Sequence, residues 1–205
     1  MRLNQRGDTI IEVLFAVTVF AMVAVGSLTI MNQGTATAQR ALEITLVRQQ
    51  IDAQAEAIRF IHQAYITAYQ KGGAEPTDIA GEWKKMTDKG VPSASPFGVS
   101  GGTTCPASVP NAGSSFILNA RKATVWGTTP SMSPPPGGSL PPFAQVRYDG
   151  DSNIENAYGL WVEAVPSAGT DGPGFVDFHI RACWSASGSS APATLGTIVR
   201  LYEPR

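Results

Sequence analysis

Glu12 is the only ionisable side chain between Thr9 and Gln39. The stretch that follows it, Val13–Met31, carries no charge. A carboxylate in hydrocarbon costs a few kcal/mol at the bilayer centre and less near the interface, so it needs a partner or a role. Three other groups invite chemistry. Cys105 and Cys183 are the only cysteines. In an extracytoplasmic compartment they form a disulfide, closing a long loop at a gain of roughly 4 kcal/mol on the chain-entropy view. Two separate buried thiols are the alternative. Asp149, Asp151, Asn153 and Glu155 set oxygen ligands at alternate positions, as a Ca²⁺ loop does, but the glycine and distant Glu of an EF-hand are missing. A polar turn between strands is the plainer reading, so no metal is expected. His62 and His179 are the only histidines; they meet if sheet and helix pack there, yet two imidazoles alone make a weak metal site. There is no phosphate-binding loop. No cofactor and no enzymatic activity are expected.

The elements that must position these groups can be read from periodicity. Nineteen residues from Val13 to Met31 span about 28 Å as a helix, the thickness of a bilayer's hydrocarbon core. The helical pattern then continues. Ile44, Val47, Ile51, Ala55, Ile58, His62, Tyr65 and Tyr69 recur three or four apart and make one apolar face. Arg48/Asp52 and Glu56/Arg59 stand at pairing distance on the other side. Gly72-Gly73 marks the stop. A continuous helix from Asp8 to Lys71 is about 96 Å long, more than a globular domain requires. Gly26 and Gly34 lie within it, either as points where it bends or as small packing residues.

The remainder reads as a head with a sheet. Asp78–Lys89 is a short helix or turn, and Val91–Ala112 is a Gly/Pro/Ser-rich loop. Strand-like runs follow at Phe116–Trp126, Phe143–Tyr148, Tyr158–Val165, Phe175–Trp184 and Leu195–Tyr202. Val176, Phe178, Ile180 and Ala182 share a face, as do Leu195, Thr197, Val199 and Leu201. An antiparallel meander with one face laid on the amphipathic helix results. Thr128–Pro142 is a proline-rich surface loop. The expected fold is α+β: a long N-terminal helix, apolar in its first half and amphipathic in its second, packed on a C-terminal antiparallel sheet. The chain has 205 residues, of which 15% are charged, and a net charge of −1. That balance gives no electrostatic case for nucleic acid as a partner.

The short basic run Met1–Gly7 ahead of the apolar stretch places the N-terminus in the cytoplasm and the rest outside. A cleaved secretory signal finds an A-x-A site at Ala36-Thr37-Ala38, but the apolar stretch is too long for one and holds Glu12. A plain anchor explains the length and leaves Glu12 without a role. Locally, Thr9-x-x-Glu12 is a capping box, and a carboxylate in the first turn suits the helix dipole.

Gly7-Asp8-Thr9-Ile10-Ile11-Glu12-Val13-Leu14-Phe15-Ala16 resembles the processing site of type IV pilins and the pseudopilins of type II secretion. In that family a short basic leader ends in Gly, a dedicated peptidase cuts after it, and the fifth residue of the processed chain is Glu. Asp8 stands where the family usually carries Phe or Met. The resemblance covers the first third of the chain by motif and the rest only in architecture. It implies a leader at 1–7, cleavage between Gly7 and Asp8, a filament-core helix at 8–34, its amphipathic continuation at 35–73 and a head at 74–205. It further implies assembly through Ile10, Ile11, Val13, Leu14 and Phe15, with Glu12 meeting the new α-amine of a neighbouring subunit and Asp8 competing for it. The implied partners are other copies or related pilin subunits, the prepilin peptidase and a membrane assembly platform. The implied place is the cytoplasmic membrane, then a surface filament for adhesion, motility or uptake. The rival reading is a membrane-anchored or secreted binding protein that does not polymerise.

Overall fold

The computed structural model describes residues 8–72, 78–94, 105–127, 130–132, 141–167, 174–186 and 188–204, with side chains in the first helix described from Ile10 onward. Gly7, Gly73, residues 95–104 of the expected loop and most of Thr128–Pro142 lie outside the described residues. The chain forms two compact units, Met1–Ala41 and Leu42–Arg205. The fold is α+β, a long N-terminal helix followed by antiparallel sheet.

Helix α1 runs unbroken over Asp8–Gln70. In the first unit none of its described side chains is buried. The large apolar residues between Ile10 and Met31 stand exposed. Five hydroxyls in this part bond back to the helix's own carbonyls: Thr18 to Phe15, Ser27 to Val23, Thr29 to Val25, Thr35 to Asn32 and Thr37 to Gln33. Gly26 and Gly34 sit within the helix, and nothing lies within 4 Å of where a Cβ would stand at either.

In the second unit, α1 from Leu42 onward buries Val47, Ile51, Ala55, Ile58 and Ile61. Ile44 and Tyr69, the outer members of the predicted stripe, are exposed. Gln54 is buried on the same side and exchanges two 2.8 Å hydrogen bonds with the Leu118 backbone: its Nε2 donates to the carbonyl, and its Oε1 accepts from the N–H. A polar side chain is tolerated in the core when both its ends are satisfied. Arg59 pairs with Glu56, whereas Arg48 and Asp52 form no ion pair among the described residues. The helix stops at Gly72, whose φ of 108° permits the chain reversal, and its N–H bonds the Tyr69 carbonyl. Helix α2, Ile79–Thr87, buries Trp83 and Met86. Its Glu82 carboxylate is buried and accepts from the Val125 N–H at 2.8 Å and from Lys85.

The strands depart from a single meander. They form two hairpins and one three-stranded sheet: β1 (Ile117–Asn119) with β2 (Thr124–Trp126), β3 (Gln145–Tyr148) with β4 (Ile154–Tyr158), and β5 (Leu160–Ser167), β6 (Phe175–Trp184) and β7 (Ala193–Tyr202) in that order. The expected single strand Phe116–Trp126 is broken because Asn119 Oδ1 accepts from the N–H groups of Arg121 and Lys122, turning the chain. The expected strand Tyr158–Val165 is broken at Gly159. This residue holds φ 64°, and a Cβ there would lie 2.4 Å from the Cys183 carbonyl oxygen. That break separates β5 from β4, whose first residues Ile154 and Glu155 fall in the expected polar turn. One continuous core joins α1, α2 and the sheets. Phe178 and Trp83 meet edge to face, and Ile180 and Trp184 are buried beside them.

Candidate functional site

Asp8 opens α1, and Glu12 follows one helical turn later. Around Glu12, Ile10 is 63% exposed, and Ile11, Val13, Leu14 and Phe15 are exposed to a similar degree. No described protein group shields this surface. The helix is long and apolar enough to cross a membrane, and none of its most apolar stretch is buried. Isolated apolar residues on a surface are ordinary, but an apolar girdle over several turns has to be covered by lipid or protein. Every described hydroxyl from Thr18 to Thr37 is satisfied within the helix itself, and Glu12 is the one charged side chain between Ile10 and Met31. Gly7, the other half of the expected cleavage site, lies outside the described residues.

Cys105 and Cys183 form a disulfide across 78 residues, with Cα atoms 5.7 Å apart. It packs with Val109, Trp161 and Met132 on the face of the three-stranded sheet that points away from the main core. Strands β1 to β5 lie between the two cysteines, and β7 lies beyond them.

The same outward face carries a polar array. Glu163 is fully buried. It accepts from Asn111 Nδ2 at 2.7 Å and faces the Arg181 guanidinium at 3.6 Å. Arg200 donates two 2.7 Å bonds to Asp177 and lies over the Phe175 ring. Those bonds hold the Asp177 carboxyl below its ordinary value. Burial, and then the Arg181 charge, lower the pKa of His179 between them. The array went unread in the sequence, although a signal is present. Asp177, His179 and Arg181 occupy the alternate positions of β6 left by Val176, Phe178 and Ile180.

The two histidines do not meet. His62 packs on the Trp83 ring and its Nε2 donates to the Tyr202 carbonyl at 2.8 Å. His179 is on the opposite face of the sheet, paired in register with Glu163 and Ile198. The Asp149 carboxylate is occupied by its own turn. It accepts from the N–H groups of Asp151 and Asn153 and from Asn153 Nδ2, bonds that lower its pKa, with Asn153 the main cause. Among the described residues no three His, Cys, Asp or Glu side chains are grouped to hold a metal ion. The chain matches no protein-family model, no curated protein and no solved structure.

Proposed function

We propose that this chain is a structural subunit of a type IV pilus-like surface filament. In this reading it enters the membrane as a prepilin, is cut after Gly7 and polymerises through the first half of α1. The observation that carries the reading is the exposed apolar surface from Ile10 to Met31 with Glu12 as its single charge, continuous with a helix whose second half is built into a folded α+β unit. A bilayer covers that surface before assembly and neighbouring helices cover it afterwards. Because lipid and filament core are both apolar, the transfer releases little hydrophobic free energy. Direction and register must come from packing, from an external motor and from the pairing of Glu12 with the α-amine that cleavage creates. An α-amine has an ordinary pKa near 8 and is largely cationic at neutral pH.

Intact mass and N-terminal sequence of the protein recovered from cells test the processing step. A terminus at Asp8, methylated or not, supports the prepilin route. A terminus at Gln39 indicates a secreted protein, and an uncut Met1 a plain anchor; either rejects the reading. Glu12→Ala is expected to leave membrane insertion intact and to deplete the subunit from sheared filaments. Incorporation equal to that of the unmodified chain would remove Glu12 from the mechanism.

A further inference from the structure

The three-stranded sheet has two edges of different kinds. Beyond β5, Phe116 and Val162 exchange two backbone hydrogen bonds, and the Val91 N–H donates to the Ala164 carbonyl. Beyond β7 no strand pairs with the edge among the described residues. Glu203 N–H bonds the Gly174 carbonyl on the β6 side, so the odd-numbered residues of β7 face β6 and the even-numbered ones face outward. At Tyr202 the outward carbonyl is taken by His62. Among the described residues, no group bonds the outward N–H and C=O of Thr194, Gly196, Ile198 or Arg200. β7 runs for ten residues in regular register with no proline or bulge, and its one charged side chain, Arg200, is engaged by Asp177. Proline, a bulge and a free charge, three devices that protect an edge strand, are therefore missing from β7. Gly196 leaves an open depression of about 430 Å³ beside it, lined in part by His179, Arg181, Thr194 and Ile198. Two residues along, Ile198 stands 60% exposed.

We propose that this edge docks a second copy of the same chain, β7 against β7, antiparallel about a two-fold axis through Thr197. In this register Ile198 of each copy lies opposite Gly196 of the other, so each depression receives the exposed side chain it lacks. Arg200 lies opposite Thr194. About eight main-chain hydrogen bonds form, and the two sheets become one of six strands. The neighbouring registers fit less well. An axis through Ile198 sets Arg200 over Gly196 and next to Arg181, like charge against like. An axis through Gly196 leaves the depression empty. The pairing uses only the second unit and goes beyond the filament reading; it holds whether or not the chain polymerises.

Cross-linking of the full chain in detergent tests it. Both native cysteines are already joined, so an introduced thiol reports alone. Thr197 faces its own counterpart at a non-hydrogen-bonded pair, where Cα atoms approach to about 4.5 Å, within disulfide reach. Under mild oxidation Thr197→Cys is expected to give a disulfide-linked dimer at least about tenfold faster than Ile198→Cys, whose counterpart is displaced along the strand. A mixture of Gly196→Cys and Ile198→Cys chains is expected to give the cross-linked heterodimer. The apolar part of α1 can bring chains into one micelle in every case, and the comparison of adjacent positions removes that contribution. Equal rates for Thr197→Cys and Ile198→Cys, a faster Ile198→Cys, or no dimer from Thr197→Cys or from the mixture would each overturn the proposal.

Discussion

His179 is the residue whose environment most directly predicts a solution property. Burial and the nearby Arg181 charge hold its pKa below the ordinary value of 6.5, against opposing contributions from Asp177 and Glu163. The unfolded chain therefore takes up the proton at a higher pH than the folded one does. Stability from this group is complete above pH 6.5 and is lost as pH falls from there through the lowered folded value. The melting temperature of the protein is expected to decline over that interval, and His179→Gln is expected to flatten the decline. An unchanged slope in the variant would assign the effect to another group. The Arg200 hydrogen bonds hold the Asp177 carboxyl below its ordinary value.

At the scale of elements, the decisive joint is Gly159, which ends β4 and begins β5. Its positive φ suits glycine, and the close approach of the Cys183 carbonyl excludes a side chain. The Gly159 carbonyl in turn accepts from the Cys183 N–H at 2.8 Å. Gly159→Ala is expected to destabilise the protein by more than about 2 kcal/mol, read by denaturant unfolding. A smaller loss would mean that β5 can shift away from β6 at this point. Gly159 also marks where sequence reading ran out. The apolar alternation of β6 and the helical stripe through Val47, Ile51, Ala55 and Ile58 were plain, because burial on one face imposes a period on the residues themselves. The breaks at Asn119 and Gly159 were not, since they depend on a side-chain bond to the backbone and on a contact with a strand 24 positions away. Glu12 and the two cysteines stood out by their rarity. The Glu163–Arg181 pair did not, because in one dimension it is two ordinary charges in two strands.

At the scale of the whole molecule, the two units present contrasting surfaces. Large exposed apolar side chains crowd residues 10–31 and are scattered thereafter. A fragment covering residues 35–205 is therefore expected to remain monodisperse without detergent at concentrations where the full chain requires it. Sedimentation of both in detergent-free buffer would check this, and aggregation of the fragment would show that the second unit also relies on an apolar cover. Under the proposed filament reading, the apolar part would pass from lipid to protein while the folded part stays in water.

That passage bears on the hydroxyls of Thr18, Ser27, Thr29, Thr35 and Thr37. A polar group that depends on one neighbour ties a helix to that neighbour, because leaving strands the group in hydrocarbon. These five depend only on carbonyls of their own backbone. The helix thus brings its solvation with it. In the proposed filament reading, none of these five bonds is broken when the helix passes from one apolar host to another, and between Ile10 and Met31 Glu12 is the one charge whose company has to be renegotiated.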